Sequence, residues 1–98
     1  MLGGTGEDDL FGGANDDSID GGTGNDSIDA GTGNDTAVGG DGDDRIFGRE
    51  GHDLITGGIG LDVISGNEGN DTISGGDGRD VLVGNDGNDS INGGADND

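Results

Sequence analysis

The 98-residue chain is 24% hydrophobic, has two phenylalanines as its only aromatic residues, and contains neither proline nor cysteine. Its 27 glycines and its 23 acids against three bases, a net charge of −20, place it by composition among chains whose apolar burial cannot offset the entropy of ordering. Such a surface repels nucleic acid phosphates and anionic head groups, no apolar run approaches the ~20 residues of a membrane span, and no disulfide can form; cations are what it attracts.

After the two leading residues Met1 and Leu2, the chain divides from Gly3 into ten nine-residue units and a six-residue stub, without insertion. The sixth position is aspartate throughout: Asp8, Asp17, Asp26, Asp35, Asp44, Asp53, Asp62, Asp71, Asp80, Asp89 and Asp98. The eighth is aliphatic: Leu10, Ile19, Ile28, Ala37, Ile46, Ile55, Ile64, Ile73, Leu82 and Ile91. Glycine holds the first position except at Ala30, and the fourth except at Asn15 and Asp96. Arg49, Asn67 and Asn85 replace it at the second, eighteen residues apart, so a period of eighteen underlies the period of nine.

The first six letters of each unit have turn chemistry, glycine permitting positive φ and Asn or Asp replacing it at least cost. The last three, such as Ser27-Ile28-Asp29, predict a short strand with one inward aliphatic. A helix is excluded, since no window carries an i, i+3, i+4 apolar face and glycine recurs every few residues. Two turns and two strands in eighteen residues predict one flattened coil, and stacked coils predict an all-β, right-handed parallel β-roll. Leu10, Ile28, Ile46, Ile64 and Leu82 would line one inner wall, with Ile19, Ala37, Ile55, Ile73 and Ile91 facing them and Ala37 leaving a thin spot. Phe11 and Phe47, two coils apart, are expected to cover an edge.

Stacking coils also stacks the turn aspartates at about 4.8 Å, one strand spacing. Carboxylates so close require a cation between them. Oxygen ligands alone, without cysteine and with His52 as the only histidine, suit calcium better than zinc or magnesium.

The unit resembles the GGxGxDxUx nonapeptide of the repeats-in-toxin (RTX), hemolysin-type calcium-binding family. The resemblance covers residues 3–98, and GGTGNDSID at 21–29 matches letter for letter. It implies a parallel β-roll folded by calcium, in which each ion lies between one turn and the turn two units later. The earlier turn would supply the carbonyls of its second and fourth positions and its aspartate, the later one the carbonyls of its first and third positions and its own aspartate.

On one side of the roll this implies Gly4, Gly6 and Asp8 with Gly21, Thr23 and Asp26. Next come Gly22, Gly24 and Asp26 with Gly39, Asp41 and Asp44, then Gly40, Gly42 and Asp44 with Gly57, Ile59 and Asp62. Gly58, Gly60 and Asp62 would share an ion with Gly75, Asp77 and Asp80, and Gly76, Gly78 and Asp80 with Gly93, Ala95 and Asp98. On the other side, Gly13, Asn15 and Asp17 would face Ala30, Thr32 and Asp35, and Gly31, Gly33 and Asp35 would face Gly48, Glu50 and Asp53. Arg49, Gly51 and Asp53 pair with Gly66, Glu68 and Asp71, and Asn67, Gly69 and Asp71 with Gly84, Asp86 and Asp89. The resemblance thus implies about nine Ca²⁺, whose charge would bring −20 to about −2. Arg49 is expected to weaken the site at Asp53 and Asp71, and the site of Asp80 and Asp98 to be frayed.

Other residues read blandly. His52 is expected to be an exposed turn residue, because zinc or general-base chemistry would need partners that are missing. Ser18, Ser27, Ser65, Ser74 and Ser90 have no base near them in sequence, and no Gly-Lys-Ser/Thr follows the glycines. The chain is therefore not expected to be an enzyme. It is expected to be a monomeric calcium-binding module at 3–98, belonging to a longer secreted protein, and the resemblance implies type 1 secretion and an attached toxin, protease, lipase or surface domain. The alternative is a calcium-stiffened stalk or adhesive region of an adhesin. An ice-binding-like array is disfavoured by the break of the Thr5, Thr23 ladder at Asp41 and Ile59.

Overall fold

A computed structural model describes residues 1–95. The strands are Leu2–Thr5 (β1), Asp9–Ala14 (β2), Ser18–Thr23 (β3), Ser27–Thr32 (β4), Thr36–Asp41 (β5) and Arg45–Glu50 (β6). They continue as Leu54–Ile59 (β7), Val63–Glu68 (β8), Thr72–Asp77 (β9), Val81–Asp86 (β10) and Ser90–Ala95 (β11). Odd strands form one parallel sheet in the order β1-β3-β5-β7-β9-β11, and even strands form a second, β2-β4-β6-β8-β10. Each strand pairs with the strand eighteen residues on, as in Ile28↔Ile46 and Ile55↔Ile73. The chain is thus a β-solenoid of about five coils, and among the described residues there is no helix to cross a membrane.

The expected inner walls are present. Leu10, Ile28, Ile46 and Ile64 line one and Ile19, Ala37, Ile55 and Ile73 the other, nearly all below 3% exposed, with Leu82 packed against them. Ile91, on the last coil, is 48% exposed. Each buried isoleucine contributes about 1.5–3 kcal/mol of transfer free energy, so the stack depends on every rung.

The strands are longer than the sequence predicts. They take in not only positions seven to nine but also one to three of the following unit, leaving a three-residue turn at positions four to six. Glycine-rich letters were expected to be turn because they weaken an isolated strand. Here each bend lies beside an identical bend one coil away, so pairing resumes beyond it, as in Gly22↔Gly40 and Thr23↔Asp41. At the second position φ is positive even without glycine: Arg49 at 85°, Asn67 at 75° and Asn85 at 72°. Ala30, at the first position, has no positive φ, so alanine meets no backbone penalty there.

Ala30 also repairs the thin spot at Ala37. In the second unit a methyl placed on Gly12 would come 3.1 Å from Ile19 Cδ1. Ala30 and Ala37 hold the same two positions in the fourth unit, and both are fully buried in the common cluster. The small side chain at Ala37 thus makes room for the methyl of Ala30. Ala37→Ile alone should destabilise by about 1–3 kcal/mol through overpacking, and Ala30→Gly alone by about 1 kcal/mol. Combined, they should cost well under the sum. Denaturant unfolding in calcium measures this, and additivity within about 0.5 kcal/mol would refute the pairing.

Candidate metal centres

The turns carry the aspartates of position six in two columns. Asp8, Asp26, Asp44, Asp62 and Asp80 follow β1, β3, β5, β7 and β9, and Asp17, Asp35, Asp53, Asp71 and Asp89 follow the even strands. Asp26, Asp35, Asp44, Asp53, Asp62, Asp71 and Asp80 are buried, 1–4% exposed. Each Oδ1 accepts the backbone N–H of the aspartate one coil earlier, as in Asp26 N–H to Asp44 Oδ1 at 2.8 Å and Asp53 N–H to Asp71 Oδ1 at 2.9 Å. The other oxygen, Oδ2, is buried without a hydrogen-bond partner in Asp8, Asp17, Asp26, Asp35, Asp44, Asp53, Asp62 and Asp71. An ionised oxygen in that condition costs several kcal/mol. Except at Asp35, whose unit begins with Ala30, each of these carboxylates also lies against the first glycine of its own unit: a Cβ on Gly21 would come 2.5 Å from Asp26 Oδ2.

Backbone oxygens of both turns point into the gap between coils. A methyl on Gly22 or Gly24 would collide with the carbonyl of Gly4 or Gly6, so the second- and fourth-position carbonyls point forward to the next coil. A methyl on Gly21 would meet the Gly39 carbonyl at 2.5 Å, so first-position carbonyls point back. Third-position carbonyls point back too, Thr23 accepting from Gly6 N–H at 2.8 Å and Asp41 from Gly24 N–H at 2.8 Å. Among the described residues no three His, Cys, Asp or Glu side chains gather as a metal cluster. A cation there would therefore be held by two carboxylates and a cage of carbonyls, the donor set of a hard ion.

The RTX calcium-binding nonapeptide repeat matches this chain in four copies, at residues 2–37, 29–64, 38–73 and 65–98. The chain belongs to the RTX calcium-binding repeat family. No curated protein and no solved structure matches it. Family and fold together make it a calcium-binding repeat module, and the orphaned Oδ2 atoms and the carbonyls between coils fit the ion.

Three local findings refine the RTX pattern. Arg49 does not direct its charge at the turn: Nε and Nη2 donate to Asp29 Oδ2 at 3.0 and 2.7 Å, across the Phe47 ring, whose centroid is 4.9 Å from Cζ. The expected weakening of the Asp53–Asp71 site therefore loses its cause, because the guanidinium is neutralised on the outer sheet face. Phe11 and Phe47 lie on the outer face of the second sheet, in register with Asp29 between them, Phe11 on the edge strand β2 as expected and Phe47 on the interior strand β6.

A further ladder was missed. At position five, the backbone N–H of one coil donates to the side chain of the coil before it: His52 N–H to Asn34 Oδ1 at 2.9 Å, Asn70 N–H to His52 Nδ1 at 2.8 Å and Asn88 N–H to Asn70 Oδ1 at 2.8 Å. His52 is exposed, as expected, but stands in for an asparagine. The signal was the recurrence of Asn or Asp at that phase, an acceptor suited to local backbone N–H groups. Asp98 lies outside the described residues.

Burial pushes the carboxyls of Asp53 and Asp62 up to about 6, opposed by their backbone hydrogen bonds and reinforced by neighbouring aspartates; Asp35, Asp44 and Asp71 move the same way. A raised pKa in the fold means that the fold binds more protons than the unfolded chain between about 4 and 6. Without metal, stability should therefore rise as pH falls through that window and be lost as it rises. In excess chelator, acidification from pH 7 to about 4 should increase the β signal in circular dichroism, protons replacing the cation in part; a flat response would contradict this electrostatic account. In calcium the sense reverses, and the calcium midpoint should move to higher concentration below about pH 6.

Proposed function

We propose that the chain is a calcium-triggered folding module. It would be disordered at low free calcium and a rigid roll where calcium is near-millimolar, as expected for extracellular sites with Kd about 10⁻⁴–10⁻³ M. The observation that carries this is the two aspartate columns, in which the Oδ2 atoms of Asp8, Asp17, Asp26, Asp35, Asp44, Asp53, Asp62 and Asp71 are buried with no proton donor while backbone carbonyls point into the same gaps between coils. We assign the ligands as the family pattern implies, with Asp26, Asp35, Asp44, Asp53, Asp62, Asp71 and Asp80 each shared by two ions, and about nine ions in all.

The role follows from the energetics. A one-aliphatic-deep core cannot hold the carboxylates in place, and each ion adds only RT ln(1 + [L]/Kd), so folding waits on many ions acting together. Coils that contact only their neighbours give a cooperative, nearest-neighbour transition. Such a chain would stay unfolded in a calcium-poor cytosol and fold outside, which supports reading it as the secreted, monomeric calcium-folded segment of a type 1 secretion substrate, stabilising an attached domain.

Circular dichroism during a calcium titration tests this; a spectrum unchanged up to 10 mM, about tenfold above the weakest affinity cited, would sink it. Asp44→Asn separates charge from hydrogen bonding, because the amide oxygen can still accept from Asp26 N–H. It should raise the calcium midpoint about tenfold, the equivalent of one lost charged contact, while Asp20→Asn on the exposed face should leave it unchanged.

A further inference from the structure

The outer faces of the two sheets differ. On the first, the outward positions hold mainly hydroxyl residues, such as Ser18, Thr36, Thr56, Thr72 and Ser74, and its apolar ones, Leu2, Val38 and Leu54, lie on three different strands, β1, β5 and β7. On the second, β6, β8 and β10 bring Arg45, Val63 and Val81 into one row and Phe47, Ser65 and Val83 into the next. Those six side chains include no carboxylate, in a chain of net charge −20. Val63, Val81 and Val83 are 39%, 56% and 44% exposed, and Leu61, in the turn that leads into β8, is 53% exposed.

Charge completes the patch. Arg45 extends the row of Val63 and Val81, and Arg79 holds the turn position that Leu61 holds one coil earlier. Among the described residues the only ion pair is that of Arg49 with Asp29, so Arg45 and Arg79 are uncompensated beside the valines. Glu50, Glu68 and Asp86 close the far end of the same three strands, and Asp43 and Asp77 flank the near turns.

We infer that this face docks a short apolar segment bearing carboxylates, its apolar side chains on Val63, Val81, Val83 and Leu61 and its carboxylates toward Arg45 and Arg79. Size selects a segment over a folded partner: the apolar area is on the order of 400 Å², about half of what each side of a stable protein interface buries. A second copy is disfavoured on the same ground. An anionic bilayer would meet the flanking acids along with the arginines, whereas a narrow segment can avoid them. The inference goes beyond calcium-triggered folding and needs only the folded roll.

The test uses the full chain under conditions where circular dichroism shows the roll formed. The probe is a short fluorescein-labelled peptide alternating glutamate and leucine, followed by anisotropy and by backbone amide shifts. Saturable binding with shifts centred on Val63, Val81 and Val83 is expected. Leu61→Asn, Val81→Thr and Arg45→Gln/Arg79→Gln should each weaken it about tenfold, the scale of one lost anchor or charge pair, each measured at calcium that saturates that variant's own fold by circular dichroism. The inference is overturned by no binding, by equal binding of the lysine–leucine peptide, or by variants that bind like the parent. It is equally overturned if the chain instead sediments with phosphatidylserine vesicles, or as a dimer that Val81→Thr dissolves.

Discussion

Repulsion between stacked carboxylates is the constraint on which the rest of this structure depends. In-register pairing at eighteen residues fixes Asp26 beside Asp44 and Asp44 beside Asp62, one strand spacing of about 4.8 Å apart. The backbone N–H of each preceding aspartate satisfies Oδ1 and orients the group, but it leaves Oδ2 buried and charged. The core has no means to absorb that cost, being a single aliphatic deep. A positive charge must supply the difference, and the raised proton affinity of Asp53 and Asp62 expresses the same deficit.

The device that creates the problem also tolerates an unusual backbone. Parallel stacking of identical units pairs each irregular bend with its own translate, so hydrogen bonds survive a left-handed residue in mid-strand. That is why Asn67 and Asn85 are accommodated, and why Arg49 can be, with its guanidinium satisfied by Asp29 and its face by Phe47. Variation is absorbed locally by compensation between the positions that touch, as between Ala30 and Ala37. The price of this economy is that no coil is independent of its neighbours.

Much of the fold was legible because a strict period converts composition into geometry. The inner ladders, the two sheets and the aspartate columns all follow from nine and eighteen. The strand ends did not, because glycine content argues for a turn in isolation and says nothing about a neighbouring coil of the same shape. Nor did the acceptor ladder through Asn34, His52 and Asn70, since Asn and Asp in a turn ordinarily satisfy their own backbone and here satisfy the next coil's. The direction of Arg49 is not legible for a related reason, since a long side chain turns toward an acid twenty residues away.

Selection acts differently on the two sides of each strand. An inward residue must at once fill the core, leave space for a carboxylate and repeat along the stack, so a substitution such as Gly12→Ala would meet Asp17 Oδ2 at 3.0 Å and Ile19 Cδ1 at 3.1 Å. Outward residues at the seventh and ninth positions answer to none of these demands, and their rows run from Asp9 through Ser27 and Arg45 to Val63 and Val81. The turn aspartate is therefore a property of the repeat, recurring at the sixth position in every coil. Whatever distinguishes this roll from any other must be written on its outer faces, where hydroxyls dominate one sheet and valines and arginines the other.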